Sequence, residues 1–91
     1  MHKFEIGSII KAISGRESGE LFVISQINSN NAMLVNGKTR KLEKPKRKNL
    51  KHIYLLLKET ELKELFQNNM ITNAHIITIL KKYKNNELGG N

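Results

Sequence analysis

The chain has no cysteine, no tryptophan and one proline, and its aromatic residues are two tyrosines and three phenylalanines. Without cysteine there is neither a disulfide nor a thiolate zinc site, which fits a reducing compartment. These few aromatics are scattered, and no ladder of stacking rings of the kind single-strand binders use is visible. The longest uninterrupted apolar run, "IYLLL" (Ile53 to Leu57), is far short of the roughly 20 residues that span a bilayer. The opening "MHKFEIGSII" lacks the apolar core of a secretory signal. A cytoplasmic protein without membrane contact is expected.

Enzyme signatures are missing as well. There is no phosphate-cradling glycine loop, no nucleophile elbow and no carboxylate pair set apart in an apolar stretch. Glu59, Glu61 and Glu64 gather at the start of a helical segment, where the helix dipole accounts for them. His2, His52 and His75 are scattered, so no metal and no cofactor are expected. A domain of 91 residues buries only roughly 60 to 65% of the surface its unfolded chain exposes, leaving no room for a deep cleft and a lid.

What is abundant is positive charge. Sixteen Lys and Arg face eight Asp and Glu, a net +8 with a pI near 9.9. Half of those cations lie in "KTRKLEKPKRKNLK" (Lys38 to Lys51), where Glu43 is the one acid. Like charges repel, so such a block inside a folded domain points to a polyanionic partner. The other reading is a solvated loop kept for solubility. Lys38, Arg40, Lys41, Lys44, Lys46, Arg47, Lys48 and Lys51 are the candidate phosphate contacts, with Arg40 and Arg47 suited to bidentate pairing. Arg16 in the first loop joins them. His52, beside the stretch and in strand register with Leu50 and Tyr54, is either a structural hydrogen-bonding histidine or a further contact.

The pattern along the chain is strand-like to Leu57 and helical afterwards. "SIIKAI" and "ELFVISQI" read as strands around the turn "SGRESG", in which Gly15 and Gly19 take positive φ at little cost. "AMLVN" is a third strand, Asn36-Gly37 is a hairpin signal, and Pro45 makes residues 41–48 an exposed loop or edge before "NLKHIYL" resumes strand character. Strict alternation in "ELFVISQI" turns Leu21, Val23 and Ile27 one way and Phe22 and Ile24 the other. Both faces are apolar, so a second cover is needed. Two helices should supply it: one behind Thr60 as N-cap with Leu62, Leu65 and Phe66, the next behind Thr72 or Asn73 with Ile76, Ile77, Leu80 and Tyr83. We expect them to pack on Phe22 and Ile24. The domain plan is residues 1–58 as a small barrel, 59–84 as a helical hairpin and 85–91 as a flexible tail.

Ile6 to Ile27, with Gly19 at the hallmark glycine, resembles a KOW motif. The continuation is similar to KOW-domain ribosomal proteins of the fourteen-e type and to small KOW-domain RNA-binding proteins of Gram-positive bacteria. The residues that carry it are the turn from Val35 to Gly37, the lysine-rich Lys41 to Lys48, and Lys51-His52, and the likeness spans about residues 4–57. The resemblance implies an SH3-like β-barrel and RNA binding, with ribosomal RNA, the large ribosomal subunit and ribosomal proteins as partners. One departure is that Arg16 is answered by Glu17 and Glu20, where the family's loop is often basic. A monomer recognising folded RNA by shape and phosphate position is expected. The competing reading is a protein-interaction module of transcription or translation that docks through its helices.

Overall fold

The computed structural model describes residues 3–89, the last four by backbone alone, so His2 and residues 90–91 of the expected tail lie outside the described residues. Five strands form one antiparallel sheet: β1 (Ser8–Ala12), β2 (Leu21–Asn28), β3 (Asn31–Val35), β4 (Lys46–Asn49) and β5 (Ile53–Lys58), in the order β4-β3-β2-β1-β5. β-Branched and aromatic residues favour β1, β2 and β5. β4 is Lys-Arg-Lys-Asn, an edge strand whose ladder partner is β3. A single 3-10 turn, Leu50–His52, connects β4 to β5. The helices α1 (Thr60–Gln67) and α2 (Asn73–Gly89) follow. The architecture is therefore mainly β with C-terminal helices.

The sheet has a buried cluster on each face. Ile10, Ala12, Phe22, Ile24, Ala32, Leu34 and Ile53 form the first. Ile9, Val23 and Val35 form the second together with Leu62 of α1 and Ile76 and Leu80 of α2. The helices thus cover the Val23 face and not, as expected, Phe22 and Ile24. The exchange has a steric reason: bulky Phe22 is matched by the small Ala12 and Ala32 on its own side, while the shorter valines let helices come close. Ile27 also departs from expectation. A bulge between Ile24 and Gln26 makes Ser25 the extra residue, so the alternation skips a phase and Ile27 packs on the first cluster.

Two glycines set how closely the helices approach. At Gly7 (φ +93°) a Cβ would lie 2.9 Å from the Lys63 amide nitrogen. At Gly37 (φ +82°) it would lie 2.6 Å from the Asn73 carbonyl oxygen and 2.7 Å from Ile77 Cγ1. α1 rests on the first and the start of α2 on the second.

Helix ends differ from expectation in detail. The N-cap of α1 is Glu59, which makes no side-chain capping bond, and Thr60 is the first helical residue. The helix closes in a Schellman arrangement, with Asn69 at φ +56°, Met70 N donating to Leu65 O and Asn69 N to Phe66 O. Thr72 caps α2: its Oγ1 accepts from His75 N at 3.1 Å, and its own N–H donates back to His75 Nδ1 at 3.1 Å. α2 runs on to Gly89, so residues 85–89 are helix and not tail.

Candidate nucleic-acid interface

A run of like charges folds here because its few other residues act as anchors. Asn36 makes the first. Its Oδ1 accepts from the amides of Lys38 and Arg40 at 2.9 Å each, its Nδ2 donates to Thr39 Oγ1 at 3.0 Å, and Arg40 O accepts from Asn36 N and Gly37 N. The self-satisfied knob explains why Asn36-Gly37 does not close a two-residue hairpin. The tight hairpin is instead at Ser29-Asn30, with Ser29 at φ +42°, and residues 36–45 form a loop between β3 and β4.

The second anchor is Asn73 at the start of α2. Its Oδ1 accepts from Leu42 N and its Nδ2 donates to Glu43 Oε1, both at 2.9 Å. Leu42 itself packs on the helix-covered cluster. The Asn73 amide and the backbone hold the Glu43 carboxyl below the usual glutamate range. Asn49 and Leu50 supply the last anchors: Asn49 Oδ1 caps the 3-10 turn by accepting from Lys51 N, and Leu50 N donates to Asn30 O.

Between the anchors the cations divide. Lys38, Lys41, Lys44, Arg47 and Lys51 are exposed, with His52 exposed in the 3-10 turn rather than in strand register. Arg40 and Lys46 are half-buried. Arg16 is exposed in the loop between β1 and β2. None of these basic side chains takes part in a salt bridge among the described residues.

Lys48 is different. Its side chain is 8% exposed, it forms an ion pair with Glu17, and it donates to Ser14 O at 2.8 Å. It is a tether rather than an open phosphate contact. Hydrogen bonding from Lys48 keeps the Glu17 carboxyl below its usual range, and the nearby Lys46 charge adds to this. In the ladder Lys46 and Lys48 sit opposite Leu34 and Ala32, on the side of the first cluster, whereas Arg47 sits opposite Met33 and projects from the other face.

The resulting basic surface has two ends. One is the loop with Lys38, Arg40, Lys41 and Lys44; the other is the 3-10 turn with Lys51 and His52, alongside the loop holding Arg16. β4 separates them by roughly 13 Å at 3.3 Å per residue. Lys81, Lys82 and Lys84 are exposed farther along α2, at least about 12 Å from Asn73 at 1.5 Å rise per residue, and belong to neither end.

Gly15 and Gly19 take φ +84° and +91° in the loop that carries Arg16. A Cβ at Gly15 would lie 3.0 Å from Lys48 Nζ, whereas at Gly19 it would meet open space. The pairing of Glu17 with Lys48 and the latch from Asn73 to Glu43 had no local sequence signal, since 31 and 30 residues separate the partners. No protein-family model matches the chain, and no curated protein matches it.

Proposed function

We propose that this chain is an RNA-binding protein that engages structured RNA, ribosomal RNA or the large ribosomal subunit foremost, through the face built from residues 38–52. The observation that carries the reading is the ordered display of unpaired cations: Lys38, Lys41, Lys44, Arg47 and Lys51 are exposed, while Glu17 is ion-paired with Lys48 and the Glu43 carboxylate is held by a hydrogen bond from Asn73. Cations on a fixed backbone release counterions from phosphates without first paying to order a loop. The likeness of Ile6 to Ile27 and of Val35 to His52 to KOW proteins supports RNA as the polyanion. An SH3-like barrel is supported by the first cluster, which four of the five strands build, and by the single 3-10 turn between the edge strands.

On this reading the protein is a cytoplasmic monomer that needs no cofactor and catalyses no reaction. No helix among the described residues is long and apolar enough to cross a membrane. Docking of a protein through the helices is the weaker alternative, because Leu62, Ile76 and Leu80 are already spent on the sheet. Crosslinking in cells followed by sequencing of the attached RNA tests the proposal. Recovery of ribosomal or other structured RNA at Lys38 to Lys51 is expected; a nuclease-resistant protein partner with no crosslinked RNA would refute it.

A further inference from the structure

The helix-bearing face of the sheet is covered over only part of its length. Ile9 and Val23 lie fully buried under α1 and α2. Two residues farther along β1, the same face carries Lys11, whose register partners are Leu21 on β2 and Tyr54 on β5. Tyr54 is 57% exposed, and Ile13, next along that face by alternation, is 50% exposed. The Tyr54 hydroxyl has no hydrogen-bond partner among the described residues.

The surroundings of this apolar patch are cationic. Lys11 stands directly across the ladder from Tyr54, where cross-strand Cβ atoms are about 5 Å apart. Ile13 N donates to His52 O at 2.9 Å, which fixes the end of β1 against the 3-10 turn bearing Lys51 and His52. Ser14, the next residue, accepts from Lys48 through its carbonyl, so the patch ends where the loop bearing Arg16 begins. Of the acids in the loop that follows, Glu17 is paired with Lys48 and Glu20 is exposed.

An exposed ring beside fixed cations matches a ligand with a flat π-face attached to a phosphate. A protein surface offers that pairing rarely, and a duplex buries its base faces; an unpaired nucleotide presents both. We propose that Tyr54 stacks an unpaired nucleobase of the bound RNA while Lys11 and Lys51 hold its flanking phosphates. The proposal rests on the RNA-binding reading and deepens it, giving the site a preference for a bulge, loop or single strand beside the phosphate-reading face.

The chain offers a direct probe, since it has no tryptophan and its tyrosines are Tyr54 and Tyr83. In full-length protein carrying Tyr83→Phe, Tyr54 is the sole tyrosine emitter. Titration with a short oligouridylate at low salt should quench its emission saturably, and a blunt RNA duplex should quench it much less. Tyr54→Ala should weaken oligouridylate binding by about 5- to 100-fold, and Tyr54→Phe should keep it within about twofold. If the parent binds oligouridylate and Tyr54→Ala binds it equally well, the stacking site is wrong and RNA binding stands. If the parent binds neither these probes nor ribosomal RNA, both fail. Concentration-dependent dimerisation abolished by Tyr54→Ala would give the patch to a second copy of the chain and overturn the proposal.

Discussion

The Lys48 ammonium reaches from edge strand β4 to the Glu17 carboxylate in the loop between β1 and β2, and the same group donates to Ser14 O at 2.8 Å. The contact ties a strand of three consecutive cations to the body of the domain. It also removes one cation from the surface and cancels Glu17, one of the two acids that answer Arg16.

Lys48→Met should therefore act on stability more than on RNA. Removing one member of a mostly buried pair leaves the other poorly solvated, at a cost of about 1–3 kcal/mol for this partly screened site. Urea denaturation should show that loss, while the salt dependence of RNA binding changes by less than about half a unit of slope. A loss of slope near one unit with unchanged stability would make Lys48 a phosphate contact.

The glycines should separate by what lies next to them. Gly19→Ala adds a methyl group in open space and should cost about 1–2 kcal/mol through its positive φ alone. Gly37→Ala must also displace the start of α2 and should cost at least about 2 kcal/mol more. Equal melting temperatures for the two variants would contradict the close approach of α2 to the loop.

The helices should prove part of the domain's core. Leu62 is 1% exposed in the second cluster, so Leu62→Ala should cost about 2–5 kcal/mol, more than Phe66→Ala at its half-buried position. A chain truncated after Lys58 would uncover Ile9, Val23 and Val35 and should melt lower or associate. A monomeric truncated chain as stable as the parent would show the helices to be an appendage.

Acid should loosen the basic face. Glu17 and Glu43 titrate below the ordinary glutamate value of 4.5 when folded, held down by Lys48 and by Asn73 respectively. A carboxyl depressed in the folded state contributes stability that is complete above its unfolded value and is lost as pH falls through the folded one. Denaturation midpoints should thus be flat with respect to these groups above about pH 5 and decline below 4.5. Glu17→Gln should lower stability at neutral pH and flatten the acid limb; an unaltered acid limb would argue against the pairing with Lys48.

Periodicity made much of this fold legible. The switch from strand to helix after Lys58 and the apolar stripe of Leu62, Ile76 and Leu80 followed from spacing alone. The face they cover did not, because Val23 and Phe22 are both apolar and only packing volume decides between them. Ser25 hid its bulge for a similar reason: an extra residue in a strand alters register without altering composition. In the candidate site the charge run was plain, but its division was not. Lys48 and Arg47 are adjacent and chemically alike in sequence, yet ladder alternation sends one toward Glu17 and leaves the other exposed. Gly7 carried no turn signal, since its role is set by a helix some 55 residues later.

The central claim is that the face spanning Lys38 to Lys51 contacts phosphate, and salt dependence tests it most directly. For about four to six neutralised phosphates, log K against log salt should have a slope of about −3 to −5. Replacing Lys38, Lys41, Lys44 and Arg47 together by Ala should flatten it by about 3 units with the fold intact, while replacing Lys81, Lys82 and Lys84 should leave it nearly unchanged. An unchanged slope in the first variant, or an equal loss in the second, would contradict the account.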